Sequence, residues 1–210
     1  MNLNPRLLYI KTFGCQMNEY DSLRVQGILH SQGYATTPDM LAADVIFLNT
    51  CSVREKAEQK VHSFLGRLRR LKLCRPDLKI IVGGCVAQQL GKELLERFEH
   101  LDLVLGTRGI SAIAELLNTI QETSERQVYL PQDEAPPPPF EHHLPARSDS
   151  VRVVAPVTIM HGCDNYCSYC IVPYVRGRER SRPERDIIRE IQFLTGAGVR
   201  EILLLGQNVN

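Results

Sequence analysis

Residues 44–51 read DVIFLNTC and residues 78–85 read LKIIVGGC. In each, a short apolar run ends in two small or polar residues and then a cysteine. LLYIKTFGC at 7–15 has the same form. Each run is strand-sized, and segments with helical spacing follow at Asp21 to His30, Val53 to Leu73 and Lys92 to Phe98. LDLVLG at 101–106 and Ile110 to Ile120 continue the alternation. Strands alternating with helices predict a parallel sheet covered on both faces and joined by right-handed crossovers. Ser52 with Glu55 reads as a capping box for the second helix, and Gly33 as the C-terminal stop of the first.

Composition sets the class around this core. The chain has 210 residues, 43% hydrophobic and 23% charged, with no apolar run of 18. That excludes wholesale disorder and a transmembrane helix, so the expectation is a soluble globular protein without membrane contact. The stretch MNLNPRLLYIKTFGC has no apolar core of signal-peptide length, which points to the cytoplasm.

Charge is distributed unevenly although the net is only +1. Residues 1–120 carry 15 basic against 12 acidic groups, 121–150 carry 2 against 6, and 151–210 carry 8 against 6. The acidic stretch contains Pro136 to Pro139, which favours extended polyproline geometry. Residues 1–120 therefore read as one α/β domain and 121–150 as a Pro-rich linker, within which Gln127 to Leu130 has the character of an edge strand. In 151–210, VRVVAPVTIM and Arg200 to Leu205 read as strands flanking a helix over Arg185 to Leu194. One βαβ unit cannot close a barrel, so the sequence stops inside a domain.

Seven cysteines are an odd number for a closed disulfide set, and in a cytoplasmic chain metal ligation or redox chemistry leads. Cys15, Cys51 and Cys85 each follow the carboxyl end of a predicted strand. In an open parallel sheet those ends share one edge, where ligands bind. A helix N-terminus turned toward that edge favours thiolate. Gly14, Gly83 and Gly84 are expected to let backbone approach a bulky ligand closely. The plain alternative, that these thiols are buried small hydrophobes, stands beside this reading. Cys74 lies in a basic helix end and receives no ligand role.

Cys163, Cys167 and Cys170 form a second set, in MHGCDNYCSYCIVP. Three thiolates are one short of the four that close a structural zinc or iron–sulfur site, which leaves a coordination position open. Zinc with His161 as fourth ligand is the competing reading.

CxxxCxxC directly after a strand, with Tyr169 before the third cysteine, resembles the cluster loop of radical S-adenosylmethionine (SAM) enzymes. Together with FGCQMNEYDS, NTCSVREKAEQKV, VGGCVAQ, YVRGRERSRP and GQNVN, it resembles the methylthiotransferases over nearly the whole chain. SVREKAEQK, YVRGRERSRP and GQNVN favour the tRNA-modifying branch over the branch acting on a ribosomal-protein aspartate. The resemblance implies an N-terminal parallel-sheet α/β domain followed by the first βαβ unit of a truncated radical SAM partial barrel. It implies two 4Fe-4S clusters, one on Cys163, Cys167 and Cys170 that binds SAM and one on Cys15, Cys51 and Cys85 that carries sulfur. The implied reaction is radical insertion of a methylthio group at carbon 2 of isopentenyladenosine beside the anticodon. A noncatalytic iron–sulfur carrier is the alternative of another class. Tyr169 and Gln207 are candidate SAM contacts, against the plainer reading of packing or loop residues. Arg176, Arg178, Arg180 and Arg182 read either as a grip on tRNA phosphates or as a solvated charged face; Arg67, Arg69, Arg70 and Lys72 form a second basic run. A small electron-donor protein and a monomeric state complete the expectation. Without further barrel strands, apolar surface on Val151 to Leu205 lacks its normal cover.

Overall fold

The computed structural model of the chain describes residues 5–52, 55–131 and 153–209, the side chains of 55–59 excepted. Its centre is the pair β3 (Val45–Thr50) and β4 (Lys79–Gly84), every residue of which is buried. Alternate side chains serve opposite faces. Ile46, Leu48, Ile80 and Val82 pack with Val61, Leu65 and Leu68 of α2 (Glu55–Cys74). Val45, Phe47 and Ile81 pack with Val25, Ile28 and Leu29 of α1 (Gln16–Ser31) and with Ile113, Leu117 and Ile120 of α5 (Ile113–Thr123). A strand buried on both faces is the mark of a parallel sheet between two helical layers.

The six-stranded sheet is parallel throughout, in the order β2 (Tyr34–Thr36), β1 (Arg6–Thr12), β3, β4, β5 (Leu103–Leu105) and β6 (Gln127–Tyr129). The strand order reverses between β1 and β3, where the α/β crevice opens. Helices α3 (Cys85–Leu90) and α4 (Lys92–Arg97) fill the connection after β4. Gly33, at φ +86°, ends α1 as expected, its N–H donating to the His30 carbonyl at 3.0 Å. The capping box is not made. Ser52 Oγ is buried without a hydrogen-bond partner.

The stretch read as linker starts inside the domain, because α5 continues to Thr123 and β6 pairs with β5 as the parallel edge strand. Pro136 to Pro139 lie outside the described residues.

The second part pairs β7 (Val154–Thr158) with β10 (Glu201–Leu205) in parallel, crossing over through α7 (Glu184–Gly196). Ala155, Val157, Leu194 and Val199 form its small core. Between β7 and α7, β8 (Met160–His161) pairs antiparallel with β9 (Arg180–Ser181), closing the neck of a loop that contains all three C-terminal ligand candidates and α6 (Val172–Arg176). Gly162 sits at φ +72°, and an added Cβ there would stand 2.1 Å from the Arg178 carbonyl. The neck therefore closes only on a residue without a side chain.

The two parts are joined along α1. Met17 and Tyr20 meet Leu205, and Glu190, fully buried, accepts from Tyr20 Oη at 3.3 Å and from Arg182 Nη1 at 2.6 Å. Burial raises the Glu190 carboxyl pKa, and Arg182 and Tyr20 oppose the rise.

Gly84, at φ +92° and ψ −161°, is the last residue of β4, and a Cβ there would stand 2.3 Å from the Thr50 carbonyl. Gly84→Ala is expected to cost at least about 2 kcal/mol, from a backbone region open essentially to glycine alone. Thermal unfolding will report this as a loss of roughly 4–8 °C for a chain of this size. Gly196→Ala, where nothing lies within 4 Å of the added carbon, serves as the neutral control.

Candidate functional site

Cys15, Cys51 and Cys85 follow β1, β3 and β4, three adjacent strands that bracket the point of order reversal. The register Thr50↔Gly84 carries directly into the neighbours Cys51 and Cys85. Each thiol also lies at or near a helix start: Cys15 is the N-terminal cap of α1, Cys85 opens α3, and Cys51 precedes α2 by four residues. Thiolate charge is favoured at such ends.

A side-chain network fixes the strand ends beneath the thiols. Asn18 Nδ2 donates to Asn49 Oδ1 at 2.8 Å and to the Thr50 carbonyl at 3.0 Å. Asn49 Nδ2 donates back to the Asn18 carbonyl at 2.7 Å and to Ser22 Oγ at 3.0 Å. Thr50 Oγ1 donates to the Gly83 carbonyl at 2.6 Å. Each asparagine is fully enclosed, so the pairing replaces water for groups that otherwise carry a desolvation cost. Sequence reading passed over both residues, although each lies within three positions of a cysteine.

The glycines allow close approach within the protein itself. The space a Cβ would take is occupied by Asn18 and Cys51 at Gly14, by Phe47 at Gly83, and by Thr50 and Asn49 at Gly84. They bring the strand ends against one another.

Neighbouring groups pull the thiols apart chemically. A hydrogen bond from Cys51 holds the Cys15 thiol down at about 5, from an ordinary value of 9.0, against the burial that raises it. Burial pushes the Cys85 thiol up, and the charge of Arg176 partly opposes that rise. As a thiol, Cys15 donates to Asn18 Oδ1 at 3.3 Å; as a thiolate it accepts from Cys51.

In the second set Cys163 is buried, Cys170 half-buried and Cys167 exposed, on a loop in which Tyr166 adopts φ +45°. The Cys170 N–H donates to the Cys167 carbonyl at 2.9 Å, and the Cys163 N–H to the Gly177 carbonyl at 3.1 Å. Burial lowers the His161 ring to about 4, which keeps it neutral. Among the described residues no group of three or more His, Cys, Asp or Glu side chains gathers closely enough to hold a metal ion. Both thiol sets therefore share an edge or a loop without closing on one point, and His161 completes no zinc site.

Gln207 follows β10, and its Oε1 is buried without a hydrogen-bond partner. The same is true of Thr158 Oγ1, at the end of the neighbouring β7, where Thr158 is in register with Leu205. Two buried polar oxygens without partners thus stand at, or two residues beyond, the ends of adjacent strands. Thr158 was missed in the sequence, where it is one polar residue in an apolar strand. Tyr169 is 90% exposed and makes no core contact.

The arginine run splits. Arg178 is exposed and lies 3.7 Å from Asp164, while Arg180 is half-buried in β9. Arg176 and Arg182 are corrected: neither is on a solvated face. Arg176 Nη2 donates to Asp21 Oδ2 at 2.9 Å, and Arg182 is tied to Glu190, to the Thr158 carbonyl and to Tyr20. Side-chain contacts with Asp21 and Tyr20 of α1 hold both guanidinium groups inward, a consequence of tertiary contact that a charge run does not encode. In the second basic run, Lys72 pairs with buried Asp102 at 2.9 Å, and the Arg67 guanidinium lies 5.0 Å from the Phe64 ring centre.

The described residues thus join an α/β domain with thiols at its strand switch to a strand followed by a three-cysteine loop. Residues 157–210 match the radical SAM superfamily, and residues 7–106 match a family described as uncharacterized protein family UPF0004. The chain is 62% identical over 206 residues to the tRNA-2-methylthio-N(6)-dimethylallyladenosine synthase of Syntrophobacter fumaroxidans, a match covering 98% of this chain and 45% of the relative. Proteins of the same name from Nitrosospira multiformis and Carboxydothermus hydrogenoformans are 52% and 50% identical, over 97% and 96% of this chain and 42% and 46% of their own length. The chain spans a little under half the length of the curated relatives it matches.

In cluster-free protein, alkylation of Cys15 is expected to rise with pH through a midpoint at about 5, because the thiolate is the nucleophile. Cys85, enclosed and raised, will stay unreactive through neutral pH. Peptide mass spectrometry after timed iodoacetamide pulses gives both profiles, and coincident curves would refute the assignment.

Proposed function

We propose that this chain provides the cluster-bearing part of an enzyme that methylthiolates carbon 2 of isopentenyladenosine in tRNA, with SAM as co-substrate. One observation carries the reading: helix α3, which starts at Cys85, packs against α6, which starts two residues beyond Cys170. That packing sets the helix opened by Cys85 beside the helix that follows Cys170, which supports a reading in which a radical step is joined to a sulfur step. Each set offers three thiols, the number that leaves one iron of a four-iron cluster to another ligand, and the thiols would have to draw together from their described positions to hold one.

Cys163, Cys167 and Cys170 would hold the SAM-binding cluster, and Cys15, Cys51 and Cys85 the sulfur-carrying one. When bound, the first centre supplies one-electron cleavage of SAM and the second a transferable sulfur. The protein's own residues bind, orient and exclude water. Asn18 and Asn49 hold the three strand ends in place, the Gly162 neck fixes the cysteine loop, and Thr158 Oγ1 with Gln207 Oε1 offers acceptors to a SAM ammonium group or ribose. Arg178 is the exposed member of the arginine run, suited to a tRNA phosphate. A small electron-donor protein completes the cycle.

Anaerobically reconstituted chain is expected to hold about eight irons if both sets carry four-iron clusters. Replacing either trio by alanine will halve that count, measured by iron and sulfide assay; a count unchanged by loss of one trio would exclude that trio as ligands. For the substrate, tRNA from a host strain lacking the gene will lose its 2-methylthio adenosine by mass spectrometry. Undiminished methylthio nucleoside would reject the tRNA reading.

A further inference from the structure

Between Tyr166 and Tyr174 the chain turns three of its seven tyrosines outward. Tyr166, Tyr169 and Tyr174 are 52%, 90% and 74% exposed, whereas Tyr20 and Tyr34 are buried. Over residues 162–179 every exposed large apolar side chain is a tyrosine, with no exposed aliphatic residue among them.

Two of these rings are held in place. Tyr166 and Tyr174 meet edge to face, their ring centres 6.1 Å apart and their planes at 85°. Tyr174 is the exposed residue between buried Pro173 and Val175 in α6. That helix is anchored from the other half: Thr107 Oγ1 donates to the Val175 carbonyl at 2.6 Å, and Arg108 Nη2 to the Arg176 carbonyl at 2.8 Å. Tyr166 sits at φ +45° and belongs to no helix or strand. The other non-glycine residue at positive φ among the described residues, Ser124, ends α5. A bulky residue in that region is strained, and the Tyr166 ring enters none of the apolar cores in return.

The charges on the loop narrow the ligand chemistry. One exposed arginine, Arg178, stands 3.7 Å from Asp164, and Glu179 beside it in sequence is exposed as well. Such a surface offers at most one contact to a phosphate backbone. A protein partner is met by an apolar patch core, and here no exposed aliphatic side chain accompanies the rings. An unpaired base needs only a planar ring to stack on. An edge-to-face pair uses the edge of one ring and one face of the other, which leaves ring faces for a base.

We propose that Tyr166 and Tyr174 form a stacking platform for unpaired bases of single-stranded RNA. The choice of RNA rests on the tRNA reading given above, under which the bases are those of the loop around the modified adenosine.

The test uses the 210-residue chain, reduced and free of iron, with a labelled single-stranded RNA of about eight nucleotides followed by fluorescence anisotropy. Tyr166→Ala and Tyr174→Ala are each expected to weaken binding roughly tenfold, the loss of one stacked base. Phenylalanine at either position will bind as the parent does, because the ring and not the hydroxyl is used. Leucine will behave as alanine does, being apolar without being planar. An abasic strand with the same phosphates and a blunt RNA duplex will each bind the parent at least roughly tenfold more weakly than the single strand. Affinity will fall with salt at a slope of about −0.7 on logarithmic axes, the share of a single phosphate.

Leucine variants that bind as the parent does would overturn the proposal and make the rings an apolar patch for another protein surface. It is equally overturned by a parent that binds no single strand, by alanine variants with parental affinity, or by abasic or duplex RNA bound as tightly as the single strand. The abasic and duplex comparisons need no variant, so they decide even if a substitution prevents folding. The two readings fail separately. Single-strand binding that holds while the strain lacking the gene keeps its methylthio nucleoside rejects only the tRNA reading, and the reverse pattern rejects only the platform.

Discussion

Parallel pairing of β1, β3 and β4 is the constraint from which the N-terminal site follows. Parallel neighbours need long crossovers, and the crossovers here place α1 on one face of the sheet and α2 on the other. The chain therefore leaves β1 and β3 in opposite directions, and a crevice opens between their carboxyl ends. Cysteines some 35 positions apart in sequence become neighbours without any contact of their own having to draw them together. The Asn18–Asn49 exchange of hydrogen bonds then fixes that crevice at the level of single residues.

The joint between the two parts is built unlike either core. The sheet layers are held by aliphatic side chains, whereas the joint encloses two ion pairs, Arg176–Asp21 and Arg182–Glu190, beside a small apolar contact. Buried pairs add little net stability against well-packed apolar residues, but a misaligned pair is costly. Such a joint tolerates one alignment. Under the proposed function, two sites on different parts would have to face a common substrate, and a joint of this kind would serve that.

Much of the fold was legible because strand and helix runs are long and their cores continuous, as in VIFLNT and KIIVGG. What escaped was short or set by tertiary contact. β2 has three residues, and α3 has six between two glycines, too few for periodicity to register. α6 owes its C-terminal caps to Thr107 and Arg108, which lie 68 positions earlier. The six cysteines stood out by position relative to strands and by spacing. Arg176 and Arg178 did not separate, since two arginines two residues apart look alike in sequence; one turns inward to Asp21 and the other outward past Asp164. Ser52 had the composition of a cap without its geometry, and Thr158 looked like any strand threonine.

The caps on α6 have a consequence for synthesis. A five-residue helix is far below the length that sustains itself in water, and the groups that finish this one belong to the turn after β5. Those groups leave the ribosome well ahead of the segment they finish, and domains form from the N-terminal side as the chain emerges. The earlier half thus acts as a mould for the exit from the cysteine loop. Reversing the order of the two halves by circular permutation would deprive the nascent loop of that mould until translation was nearly over.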